Sequence, residues 1–148
     1  MPARRRVPTC ALVVSLFAAA AFAALMQHSE TTIAVPAPAE KTRLEKLEYR
    51  ARFVASVDSV TLQMKSESGA DPVAVDWVFT GSNSDGQAHR VEIVVRLLDE
   101  AGKQVGIFSA MRILPPGARD HPMTLSMKVA ADAWKSARKA RIFADWRS

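Results

Sequence analysis

His121, Met123 and Met127 have the chemistry of a soft-metal site, and Met111 lies upstream of them. Imidazole and thioether groups suit Cu(I). Their even spacing also places them on one face of a strand, where methionine commonly fills an irregular core. The core reading is preferred, so no metal ligand and no cofactor is expected. A periplasmic copper carrier built on His121, Met123 and Met127 is the alternative.

A second stretch, Gly81-Ser82-Asn83-Ser84-Asp85-Gly86, is followed by Glu92. Set against a calcium loop of the EF-hand kind, Asn83, Asp85, Gly86 and Glu92 take ligand and turn positions. Gly81 then stands first and has no ligand atom. The flanks alternate at period two where such a loop needs helices. A hairpin loop rich in turn formers is expected instead. Trp134, Lys135, Arg138, Lys139, Arg141, Trp146 and Arg147 make the C-terminus basic and aromatic. Such a segment can meet anionic lipid or an acidic partner. The commoner arrangement, expected here, is a solvated basic face with the tryptophans inward.

No enzyme motif is present. The three histidines, His28, His89 and His121, are far apart in the chain. There is no nucleophile elbow, phosphate-binding glycine loop or pair of histidines at i, i+4. Asp99 and Glu100 are adjacent on a turn and do not flank a cleft. The sequence therefore predicts a protein without a catalytic residue.

The elements that must position these groups are strands. Val91, Ile93, Val95 and Leu97 alternate, and Val105, Ile107, Met111 and Ile113 share a parity after them. Between them Asp99 to Lys103 is polar, and Gly102 can take positive φ. The pattern predicts a β-hairpin with both apolar sets on one face. A first strand is expected from Leu47 through Val57, running on through Val60, Leu62 and Met64 after a slip at Asp58-Ser59. Val73, Val75, Trp77 and Phe79 form the next, and His121 to Met127 another. Ala130 to Lys139 reads as one or two helical turns with Trp134 inward, before a last strand with Ala140, Ile142, Ala144 and Trp146. These are the marks of a mainly β chain, an antiparallel immunoglobulin-like β-sandwich with Trp77 in its core.

Trp77-x-Phe79-x-Gly81-x-Asn83, then Val91 to Val105 with its Asp99-x-x-Gly102-Lys103 turn, then Leu114-x-Pro116-Gly117, resembles the FxLYD-type immunoglobulin-like domains of bacterial exported and membrane-tethered proteins. The likeness covers about Val73 to Trp146. Ile142-Phe143-Ala144-Asp145 stands near the place of the family's signature, which is itself missing. The resemblance implies a sandwich outside the cytoplasm and no catalytic residue.

The N-terminus supports export independently. Arg4, Arg5 and Arg6 precede an apolar run that ends at Met26, and residues 7–26 have the length of a membrane-spanning helix. Ala21-Phe22-Ala23 also fits a signal-peptidase site. Residues 1–26 are thus a retained anchor or a removed signal peptide, with the anchor preferred. Residues 27–46 read as a Pro/Ala linker with a short helix within 41–47, and residues 47–148 as the sandwich. The chain has 148 residues, one cysteine (Cys10) and 49% hydrophobic content, which allows a packed core without a disulfide. Setting aside the three leading arginines lowers the 20 basic residues to 17 against 15 acidic ones, too small an excess for nucleic acid. The expected function is a non-catalytic interaction or scaffold module of the cell envelope. It is tethered to the cytoplasmic membrane through residues 7–26 or secreted, and it serves an unknown protein partner.

Overall fold

A computed structural model describes residues 26–45, 47–49 and 54–147. They form two four-stranded antiparallel sheets with a shared apolar core, and one short helix. The first sheet contains β1 (Met26–Ala34), β5 (His89–Leu98), β6 (Gln104–Leu114) and β8 (Lys139–Arg147), in the order β1-β8-β5-β6. The second contains β2 (Lys41–Arg43), β3 (Ala55–Met64), β4 (Val73–Asn83) and β7 (His121–Val129), in the order β2-β3-β4-β7. Helix α1 (Ala131–Ser136) lies between β7 and β8. The predicted N-terminal helix lies outside the described residues, apart from Met26 in β1.

Period-two alternation explains most of this. In β4 every odd position from Val73 to Asn83 is buried and every even one is partly exposed. Trp77 and Phe79 have no exposed surface, nor do Val91, Val95 and Leu97 on the facing sheet. Ala140, Ile142, Ala144 and Trp146 complete the core from β8, as their parity requires. The slip at Asp58-Ser59 is a register shift between Val57 and Ser59 against β4. The hairpin turn closes as expected. The Asp99 amide donates to Lys103 O at 2.9 Å, the Lys103 amide to Asp99 Oδ1 at 2.8 Å, and Gly102 takes φ 83°.

Four sequence expectations are corrected. Residues 27–34 are not linker: β1 pairs with β8 from Met26↔Arg147 to Ala34↔Lys139. This strand is polar on both faces, so its hydrophobic alternation is weak; the β-branched run Thr31-Thr32-Ile33 is its strand signal. Residues 41–43 form β2 against Ser59–Thr61, not the start of a helix. Leu44 and Leu47 are nonetheless buried, so residues 27–45 belong to the sandwich. Leu47 to Tyr49 are not part of β3, and residues 50–53 of the expected first strand lie outside the described residues. Leu47 and Tyr49 enter the core ahead of β3, which starts at Ala55, and the Tyr49 amide donates to Ala55 O at 2.8 Å.

The fourth correction concerns the central hairpin. Ile107, Met111 and Ile113 do not share the core face with Val91 to Leu97; they are 49%, 40% and 53% exposed. A register shift falls between Leu97 and Leu98, so Leu98 pairs with Gln104 and Leu97 with Gly106. Val105 becomes the extra residue of a bulge, and every later side chain changes face. Phe108 and Ala110 therefore turn inward opposite Val95 and Ile93.

Candidate functional site

The soft-metal set does not converge. Met123 and Met127 are 2% and 4% exposed and lie in the core. Four positions along β7 separate them, about 13 Å at the ~3.3 Å rise of a strand. The Met127 sulfur accepts the Trp77 indole N–H at 3.2 Å. Met123 Cε lies 2.7 Å from where a Cβ on Gly81 would stand, and Met111 is on the outward face of the other sheet. His121 pairs across the ladder with Gly81. Met123 fills the space that Gly81 leaves, and Met127 packs against Trp77.

The calcium-like loop is also tied up internally. Asn83 is 1% exposed; its amide donates to the carbonyls of Gln87, Leu114 and Pro115 at 2.8, 3.2 and 3.1 Å. Its Oδ1 accepts the Asp85 amide at 2.9 Å. Asn83 thus pins the β4–β5 turn to the β6–β7 loop. Glu92 lies on β5, paired with Arg147 at 3.6 Å. Among the described residues no group of three or more His, Cys, Asp and Glu is placed to hold a metal.

His89 of β5 is buried beside the β4–β5 turn. It is 2% exposed, with Nε2 at 2.9 Å from Asp85 Oδ2 and its ring 5.1 Å from that of Tyr49. Its Nδ1 is buried without a hydrogen-bond partner. The signal was its parity with Val91 and Ile93, which puts it on the core face. A cleft of about 350 Å³ lies between the loop after β3 and α1, with Met64, Val73 and Trp134 in its lining. Its two ionisable residues are Glu67 and Lys135.

The outward face of the β1-β8-β5-β6 sheet gathers what the sequence scattered. The ladder defines rows across it: Arg147, Arg90 and Ile113; Asp145, Glu92 and Met111; Phe143, Val94 and Ser109; Arg141, Arg96 and Ile107. Phe143 lies at its centre, with the Arg96 and Arg141 guanidinium carbons 4.9 and 5.2 Å from its ring centre. Such cation–π contacts hold the arginines flat with their polar edges available. Ile107, Met111 and Ile113 border this patch as an exposed apolar ridge. Of the basic and aromatic C-terminus, Trp146 is inward with no exposed surface, Trp134 is only half-buried and lines the cleft, and Arg141 and Arg147 are outward.

His28 and Glu30 of β1 add a titrating cluster to this face. His28 Nδ1 lies 2.5 Å from Asp145 Oδ1, and Nε2 3.4 Å from Glu30 Oε2. The bond to Asp145 raises the His28 pKa, burial opposes it, and the Glu30 contact adds to the rise. Glu30 is lowered, chiefly by its bond from Arg141. The folded chain therefore holds the His28 proton more tightly than the unfolded chain. That contribution is complete below the ordinary 6.5 and is lost as pH rises through the higher folded value. Solvent screening keeps its effect on stability small. An NMR titration of the ring should give a midpoint above 6.5, and Asp145→Asn should bring it back. A native midpoint at or below 6.5 would show that the pair does not form.

No family model matches the chain, and no curated protein matches it. Among solved structures it is similar to the crystal structure of the bacteriophage CBA120 tailspike protein 4 enzymatically active domain, at 17% identity and a TM-score of 0.26. That match covers 84% of this chain and 17% of the other. So slight a likeness carries no argument about fold or activity.

Proposed function

We propose that the chain is a non-catalytic module of the cell envelope, held at the cytoplasmic membrane through residues 7–26, which engages a protein partner through the outward face of β6. One observation carries the reading: an edge strand turns Ile107, Met111 and Ile113 to solvent on one face. Large apolar side chains exposed together mark a contact surface. Arg90 and Arg96 stand beside Ile113 and Ile107 in the ladder, so the fitting partner offers apolar residues flanked by carboxylates. The strand-rich fold and its turn motifs support reading the sandwich as immunoglobulin-like and of the FxLYD type. The copper-carrier alternative gains no support from His121, Met123 and Met127, since two of the three are core residues well separated along one strand.

A photo-crosslinker substituted at Met111 in the full chain, in intact cells, tests the contact. The expected result is one discrete protein adduct that disappears when Ile107→Lys is added. A crosslinker at Lys128, exposed on β7 of the other sheet, should give none. The same adducts from both positions, or none from Met111, would remove the ridge as a binding surface.

A further inference from the structure

We propose that Arg90, Arg147 and Ile113 form a seat for the phosphate headgroups of anionic lipid, so that the sandwich rests on the membrane with this end of its first sheet down. Met26 is the first residue of β1 and pairs with Arg147; Arg147 pairs with Arg90, and Arg90 with Ile113. One row across all four strands therefore begins where the apolar run 7–26 ends. Because β1 begins at Met26 itself, no spacer separates residues 7–25 from the sheet. If the run is retained in the bilayer, this row is the part of the sheet nearest the headgroups. The proposal rests on that reading of residues 7–26.

The chemistry of the row fits the position. An open cavity of about 570 Å³ is lined by Ala88, Arg90, Ile113 and Arg147. Two guanidinium groups in one cavity match the planar, bidentate recognition that phosphate favours. Arg90 is exposed; Arg147 is 46% exposed and makes a long contact of 3.6 Å with Glu92, leaving donors for a second acceptor. Ile113, 53% exposed, adds an apolar tip beside the charges, the combination that settles at a headgroup boundary. The opposite end of the same sheet carries both signs: beyond the Leu98↔Gln104 and Leu98↔Lys139 pairs stands a turn with Asp99, Glu100 and Lys103. What sets the seat apart is its place in the row that begins at Met26, which the far end does not share.

The test places one thiol at each end of the full-length chain, with Cys10→Ser throughout: Ile113→Cys at the seat and Gln104→Cys at the opposite row. Each is labelled with an environment-sensitive fluorophore. The protein is then reconstituted in phosphatidylcholine vesicles, with and without phosphatidylglycerol, that carry a lipid-borne quencher. Strong quenching at position 113 and weak quenching at 104 are expected, with the former deepened by phosphatidylglycerol. Arg90→Gln and Arg147→Gln should each lower the docking equilibrium constant about fivefold, the effect of one basic group at an anionic surface. Equal quenching at both ends, or indifference to phosphatidylglycerol and to both arginines, would overturn the seat. An alkaline wash of the same vesicles reports on the anchor separately. If the wash strips the chain, the anchor reading fails. Salt-sensitive cosedimentation of the stripped chain with phosphatidylglycerol vesicles would still support the seat, and no cosedimentation would end it.

Discussion

Trp77→Ala should lower the stability of the sandwich by about 3–5 kcal/mol, as expected for removing a large buried aromatic side chain. Trp77 has no exposed surface and sits mid-strand in β4. Its ladder partners, Leu62 on β3 and Leu125 on β7, are buried too. Phe79 stacks near it, with ring centres 6.4 Å apart. Neighbours held on three strands cannot collapse into the space, so a cavity remains and the loss exceeds simple transfer. The indole bond to the Met127 sulfur adds little, because a thioether is a weak acceptor. A domain of this size has roughly 5–15 kcal/mol in total, so the loss is a large share. Urea unfolding followed by the remaining tryptophans measures it. A change below about 1 kcal/mol would place Trp77 outside the core and undo the assignment of the β4 faces.

Truncation should have a still larger effect. A chain beginning at Leu47 should show no cooperative unfolding, whereas one beginning at Met26 should unfold in a single transition. The shorter chain lacks β1, which shields β8 along all nine of its positions. It also loses the Ser29 hydroxyl, which accepts the Trp146 indole N–H at 3.4 Å and donates to Ala144 O at 3.3 Å. With β2 goes Leu44, 5% exposed in the core; burial of one such side chain contributes about 1.5–3 kcal/mol. Each ladder bond adds about 0.5–1.5 kcal/mol, so together the losses rival the whole stability. Equal urea midpoints for the two chains would show β1 and β2 to be ornaments on an independent sandwich that begins at Leu47.

The faces of β4, β5, β7 and β8 were legible because each alternates apolar with polar residues, and the core takes one parity. Gly102 announced the hairpin turn, and Asp58-Ser59 the bulge. The outward turn of Ile107, Met111 and Ile113 was not legible. It depends on one extra residue, Val105, beside the turn, and nothing local distinguishes a bulge there from an ordinary pair. β1 was missed for a different reason. It pairs with β8 from more than a hundred positions away, as at Ser29↔Ala144, and most of its residues are polar. The soft-metal pattern failed because His121, Met123 and Met127 share a face by parity, and sharing a face is not convergence on a point. The outward patch was present in the sequence as Phe143 and its arginines, but only strand order places Arg96 and Arg141 over one ring.

The central claim, an exported module held at the membrane, is tested most directly by where the chain resides and with what mass. Cells are fractionated, membranes are washed with high salt and then with alkali, and the mass of the retained chain is measured. Protease is added to intact spheroplasts in parallel. The expected result is a chain in the washed membranes with its N-terminal arginines intact and its sandwich open to protease from outside. Salt should release none of it, because apolar area and not charge holds residues 7–26. A chain beginning at Ala24 in the periplasmic fraction would keep export and contradict the membrane hold. A full-length chain in the cytosol, protected from the protease, would contradict the claim altogether.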